Sequence, residues 1–282
     1  MWQDEGKTGV FKASDGIEIF YRQVKAVDER ARMVIAHGLG EHSGRYGNVL
    51  EALVPAGVSI WAPDHRGHGR SGGARGHVRA FDDYLDDLSR MVDLARADKP
   101  DDMKLFLLGH SLGGLMAVRF AQGHGDVLDG VVASSPALGL TVRVPAVKRM
   151  LGKVMSRLYP GLSMGNELDA TKISRDSDVV KAYQEDPLVH DRVTARWFTE
   201  FLGAMEAAHR EAAQIQIPIL MQVAGDDQLA NPDGSRRFFE RLSVTDRILK
   251  VYDGLYHEVY NEAGADRARV LADLVSWIRD RV

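Results

Sequence analysis

Within this 282-residue chain, Gly109-His110-Ser111-Leu112-Gly113 holds the residue types and spacing of a nucleophile at a turn. The apolar run Met103 to Leu108 before it reads as a buried strand. Leu115, Met116, Val118, Arg119 and Phe120 follow at helical spacing. A serine at such a strand-to-helix corner is lifted out of the fold on a strained turn. The glycines admit the tight bend and the close helix, whose N-terminus faces the reacting atom. The pentapeptide alone arises by chance, so the rest of the chain must supply a base, an orienting acid and two amide donors.

Ten histidines compete to be the base, and His257 is the best placed. It lies in the loop Asp253-Gly254-Leu255-Tyr256-His257 after the last strand, which delivers it to the sheet edge that carries Ser111. The acid belongs on an earlier strand end, because triads at such elbows run serine, acid, histidine along the chain. The strand Ile217 to Val223 leads into Ala224-Gly225-Asp226-Asp227. Asp227 is the preferred acid, with Asp226 holding the turn; Asp253 is a weaker option, too near in sequence to the histidine it would orient. Two backbone N–H groups must face the developing oxyanion. Leu112, directly after the nucleophile, offers one. Leu39, in the glycine-rich loop His37-Gly38-Leu39-Gly40 after the strand Met33 to Ala36, offers the other.

The elements that must position these residues read as an α/β protein. An alternating hairpin, Val10 to Ala13 and Ile17 to Tyr21 around Ser14-Asp15-Gly16, opens the chain. Short apolar runs then alternate with helical periodicity, including Phe81, Tyr84, Leu85, Leu88, Met91, Val92 and Ala95 on one helix face. Such alternation predicts a mostly parallel, doubly wound sheet, with its chemistry at the carboxyl ends of the strands. The pattern breaks at about Leu138 and resumes after Ala213. Residues 138–213 are expected to be an inserted, mainly helical cap, and residues 1–137 and 214–282 the core. The closing helix is expected to turn Ala268, Leu271, Leu274, Val275 and Ile278 inward.

Composition removes other classes of function. A net charge of −4 without a basic block argues against nucleic-acid binding. The absence of cysteine excludes disulfides, thiolate catalysis and zinc–thiolate sites. No apolar leader core or run of membrane-spanning length is present in the sequence, so the expectation is a cytoplasmic protein, either soluble or peripheral to a membrane. Asp64, His65 and His68 are spaced to share a cation, but their glycine-rich loop suits bracing histidines better, and no metal is expected. His110 reads as packing beside the nucleophile.

Four segments carry a family resemblance. His37-Gly38-Leu39-Gly40-Glu41-His42-Ser43-Gly44-Arg45-Tyr46 resembles the His-Gly-x-Gly-Glu-His-Ser-x-Arg-Tyr segment of monoacylglycerol lipases and related lysophospholipase-like proteins. Asp64 to Ser71, Gly109 to Gly114 and Tyr252 to Glu258 are similar to that family's Asp-x-Arg-Gly-x-Gly-x-Ser loop, elbow and histidine loop. The resemblance implies an α/β-hydrolase fold and a serine esterase that needs no metal or cofactor and hydrolyses monoacylglycerols or similar single-chain lipid esters. It places the acid at Asp227 and sets Glu41 and Arg45 near the polar end of the site. There they either help place a glycerol headgroup or form an ion pair that braces the oxyanion loop. Alternatives with the same machinery are a lysophospholipase or a general carboxylesterase. A ligand-sensing receptor with little turnover is a further class. A serine rather than an aspartate at the elbow argues against dehalogenase or epoxide-hydrolase chemistry.

Between Pro145 and Tyr159, Val147, Met150, Leu151, Val154, Met155 and Leu158 share one helical arc, and Arg149, Lys153 and Arg157 share another. Two readings follow. The helix packs its apolar arc on its own domain with a solvated charged back, or it lies on an anionic membrane surface. Either puts an apolar wall near the serine, suited to an acyl chain.

Overall fold

The computed structural model describes residues 6–141 and 146–282, with the side chains of 146–149 outside the description. Pro145 and the side chains of Val147 and Arg149 therefore lie outside the described residues. The chain begins with strands β1 (Lys7–Lys12), β2 (Glu18–Val24) and β3 (Ala31–Ala36), then helix α1 (Gly47–Leu53), β4 (Val58–Pro63) and α2 (Asp82–Arg96). Next come β5 (Lys104–His110), α3 (Leu112–His124) and β6 (Gly130–Ser134). A long excursion holds α4 (Ala146–Leu158), β7 (Ser163–Gly165), α5 (Ser177–Glu185), β8 (Arg192–Thr194) and α6 (Ala195–Arg210). The chain closes with β9 (Ile219–Ala224), α7 (Pro232–Glu240), β10 (Arg247–Tyr252) and α8 (Gly264–Arg279).

Eight strands form one sheet in the order β1-β2-β4-β3-β5-β6-β9-β10, antiparallel only where β2 meets β1 and β4. The central strands are continuous apolar runs because helices cover both faces. In β5, Leu105 and Leu107 point into the core shared with α2, α3 and α6, while Phe106 and Leu108 point into the core shared with α1 and α8. The register levels the carboxyl ends: Ala36 pairs with Gly109, His110 with Ser134, and Ala224 with Tyr252. Every loop that leaves these ends emerges on one edge of the sheet.

Three details depart from the sequence reading. The inward stripe of α8 is Val270, Leu274, Trp277 and Ile278, with Leu271 and Val275 at its margin, and Ala268 is exposed. The helix is rotated so that its bulkier Val270 and Trp277 fill the core, Trp277 edge-on to Phe106. The 138–213 segment also contains a two-stranded antiparallel pair, β7–β8, whose three-residue strands are too short to give a periodic signal. Finally, most of the described part of the apolar arc of α4 is open to solvent, with Met155 half-buried. Met150, Leu151, Val154 and Leu158 are 65%, 58%, 47% and 66% exposed, while Ser156 is buried and bonded to Thr199 of α6.

Candidate active site

Ser111 stands between β5 and α3 with φ 53° and ψ −115°, a conformation non-glycine residues rarely take. Backbone bonds hold the strained turn. Ser111 N–H donates to Ser134 C=O (3.0 Å), and Ser111 C=O accepts from Leu115 (3.0 Å) and Ala137 (2.9 Å). The flanking glycines are sterically required. A Cβ at Gly109 would sit 2.0 Å from the Gly113 carbonyl oxygen, and one at Gly113 would sit 2.0 Å from that of Ala36.

His257, in the loop after β10, is brought against Asp227, in the loop after β9. Its Nδ1 lies 2.6 Å from Asp227 Oδ2, and both side chains are buried. The other carboxylate oxygen, Oδ1, accepts from the Leu229 and Ala230 amides (2.8 and 2.9 Å), which fixes the carboxylate plane. Nδ1–H therefore donates to Asp227 and leaves Nε2 as the basic nitrogen. Burial opposes the charged imidazolium, but the carboxylates of Asp227, Glu258 and Glu41 outweigh it, and the His257 pKa is raised. Asp226 and Asp253 are exposed and bond no histidine. His110 lies beside His257 with ring centroids 4.7 Å apart. Its pKa is lowered to about 4 by burial and then by His257, which keeps it neutral next to the base.

Leu39 and Leu112 both border the cavity that Ser111 and His257 line. Among the described residues, neither amide is committed to a protein acceptor. The neighbouring Gly38 N–H is committed: it donates to Glu41 Oε1 at 2.6 Å. Glu41 is buried and also accepts from Tyr46 OH (2.8 Å) and Arg45 Nη1 (2.6 Å). The Arg45 guanidinium forks onto Glu258, with Nη1–Oε1 at 2.6 Å and Nη2–Oε2 at 2.8 Å, and the Tyr183 ring of α5 covers it at 4.7 Å. Glu41 and Arg45 thus make bracing contacts, while Glu41 also borders the cavity. Glu258 was not foreseen from the sequence. Its signal was there, an acidic residue directly after the candidate base, but nothing local points to a partner 213 positions away.

The histidines of the Asp64 loop do bracing work. His65 N–H donates to His37 Nε2 and His65 Nε2–H to the His37 carbonyl, each at 2.9 Å, and the rings lie 3.8 Å apart. Burial, then the neighbouring histidines, drives the pKa values of His37, His65 and His68 well down, so they stay neutral. Asp64 accepts from the Ser43 and Arg70 amides (2.9 and 2.8 Å).

Above the serine lies a cavity of about 470 Å³. Leu140, Ile173, Val193, Trp197 and Phe201 give it apolar lining, while Glu41, Tyr183, Asp186 and Glu258 add polar groups, three of which, Glu41, Glu258 and Tyr183, gather around Arg45. The 138–213 segment is fastened over it. His190 N–H donates to the Gly40 carbonyl (2.9 Å), and Asp186 Oδ2 lies 2.9 Å from His42 Nε2.

Residues 27–264 match the family model described as serine aminopeptidase, S33. The chain is 37% identical over 270 residues to a monoacylglycerol lipase of Mycolicibacterium smegmatis, covering 95% of each chain. It is 34% identical over 234 residues to a phospholipase of Bacillus subtilis, covering 82% of this chain and 89% of that one. The crystal structure of a monoacylglycerol lipase from Paleococcus ferrophilus superposes with a TM-score of 0.84 at 38% identity, covering 99% and 100%. With that breadth of match behind a serine at a strained elbow, the chain belongs to the S33 serine aminopeptidase family and is a serine hydrolase of the α/β-hydrolase fold.

Proposed function

We propose that the protein hydrolyses monoacylglycerols to fatty acid and glycerol through an acyl-enzyme on Ser111. The observation that carries this reading is one cavity lined by Ser111 and His257, by apolar side chains such as Leu140, Trp197 and Phe201, and by the polar groups Glu41, Tyr183, Asp186 and Glu258. Such a lining suits one acyl chain and one small hydroxylated headgroup. His257 Nε2 takes the Ser111 proton as Oγ attacks the ester carbonyl, and the Leu39 and Leu112 amides stabilise the oxyanion. The imidazolium, oriented by Asp227, then protonates the leaving glycerol oxygen. Water activated by the same histidine attacks the acyl ester and releases the fatty acid. Glu41 and Arg45 shape the headgroup end, and residues 138–213 form the cap that encloses the chain. The groups named complete this chemistry with no metal or cofactor.

A second reading, lysophospholipase activity, is favoured by the 34% identity to the Bacillus subtilis phospholipase. A hydrolysis panel decides between them. The expected result is kcat/KM for monoacylglycerols at least about tenfold above that for lysophospholipids and for di- and triacylglycerols of equal chain length. Preference for lysophospholipids would replace the first reading with the second.

The exposed arc of α4 supports peripheral contact with a lipid surface. Met150, Leu151, Val154 and Leu158 stand in solvent beside exposed Lys153 and Arg157. Replacing Lys153 and Arg157 with glutamine should weaken binding to anionic vesicles by about tenfold or more, at roughly 1 kcal/mol per charge. Sedimentation with phosphatidylserine-containing liposomes measures it, and unchanged binding rejects electrostatic docking.

A further inference from the structure

The loop bearing the base and the loop bearing the Leu39 amide leave different strands, yet the reaction needs them in fixed register. Asp227 holds His257 to the β9 loop only. The link to the β3 loop runs through Glu258. Its Oε1 accepts from Arg45 Nη1, and its Oε2 accepts from Arg45 Nη2 and from Asn261 Nδ2 at 2.9 Å. The same Arg45 Nη1 reaches Glu41 Oε2, and Glu41 Oε1 takes the Gly38 N–H. From Gly38 to Glu258, the residue directly after His257, there is thus an unbroken chain of charged hydrogen bonds, with both carboxylates buried, Arg45 nearly so, and a bidentate Arg45–Glu258 step. Asn48 anchors it further by donating to Asn261 Oδ1 (2.9 Å) and to the Tyr260 carbonyl (3.1 Å).

We propose that Glu258 is a positioning residue for the hydrolytic reaction, which clamps the base loop to the oxyanion loop through Arg45 and supplies a negative charge beside the base. The proposal rests on Ser111–His257 chemistry as read above. A purely structural Glu258 would hold the loop without affecting how the base titrates. The groups facing His257 are Asp227 from the β9 loop, Glu41 from the β3 loop, neutral His110 at the elbow and Glu258 itself. Of the carboxylates, Glu258 alone belongs to the base's own loop. A carboxylate near a histidine favours the imidazolium. Removing that charge therefore lets His257 lose its proton at lower pH. The nucleophile works only with His257 neutral, so the acid limb of activity must move down with it.

The test is the rate of Ser111 labelling by an alkyl fluorophosphonate across pH. This probe has no glycerol headgroup, so loss of a substrate contact does not affect it. Glu258→Gln should move the acid limb down by about half to one pH unit. It should also lower the plateau rate about tenfold as the clamp loosens. Glu258→Asp keeps the charge but is too short for the fork, so it should lower the plateau while leaving the limb in place. An unmoved limb in a folded Glu258→Gln protein, checked by thermal melting, overturns the proposal. If that variant does not fold, a wild-type plateau in Glu258→Asp overturns it instead. Failure of Ser111 to label in the unmodified protein would refute the hydrolytic reading itself, a result distinct from either of these.

Discussion

Ser111→Ala should abolish ester hydrolysis, lowering kcat by about 10⁴- to 10⁶-fold, with a thermal midpoint close to that of the unmodified protein. Alanine keeps the Cβ that the turn already accommodates at φ 53° and loses only Oγ. The backbone bonds to Ser134, Leu115 and Ala137 do not involve the side chain and persist. Water would then have to attack directly, with help only from binding and the amide pair. Steady-state hydrolysis of a monoacylglycerol, together with fluorophosphonate labelling, measures the effect. Residual turnover above about one per cent, with Ser111 shown to be absent, would assign the nucleophile elsewhere.

Asp227→Asn should cost about 10⁴ in kcat, whereas Asp226→Asn should stay within about twofold. The asymmetry follows from the partners of Asp227. One carboxylate oxygen is held by the Leu229 and Ala230 amides, which require an acceptor. An asparagine must keep its oxygen there and so present its NH₂ to His257 Nδ1. That donor forces the proton onto Nε2 and removes the base from the serine. Asp226 is exposed and bonds no histidine. The two variants should be compared at equal folded stability, with kcat measured near neutral pH. A larger loss in Asp226→Asn would reverse the assignment.

The outcome of each sequence reading depended on how local its physics is. The Ser111 elbow, the His37 to Gly40 loop and the five central parallel strands were legible because hydrophobic runs and glycine placement act over a few residues. Placing the acid at Asp227 rather than Asp226 was a one-residue decision, which the resemblance supported. The structure shows the difference between them as burial, 7% exposure for Asp227 against an exposed Asp226. The partner of Glu258 was not legible, because an ion pair across 213 positions leaves no periodic trace. For α4, periodicity separated an apolar arc from a basic one but carried no information about which arc meets solvent. For α8, the stripe was drawn through Ala268, whereas the core demanded the larger volumes of Val270 and Trp277. Sequence spacing sees amphipathicity; it does not see the shape of the space to be filled.

The levelled strand ends have a consequence for how this enzyme comes into being. The groups proposed for the chemistry hang from separate strands, Leu39 beyond β3, Ser111 beyond β5, Asp227 beyond β9 and His257 beyond β10. β10 is the edge of the sheet and pairs only with β9. In chain order the proposed nucleophile comes well before the proposed base, and the two meet only once β10 has docked on β9. A fold that has not yet seated β10 would leave the proposed nucleophile without its base, so seating of that edge strand is a precondition for turnover.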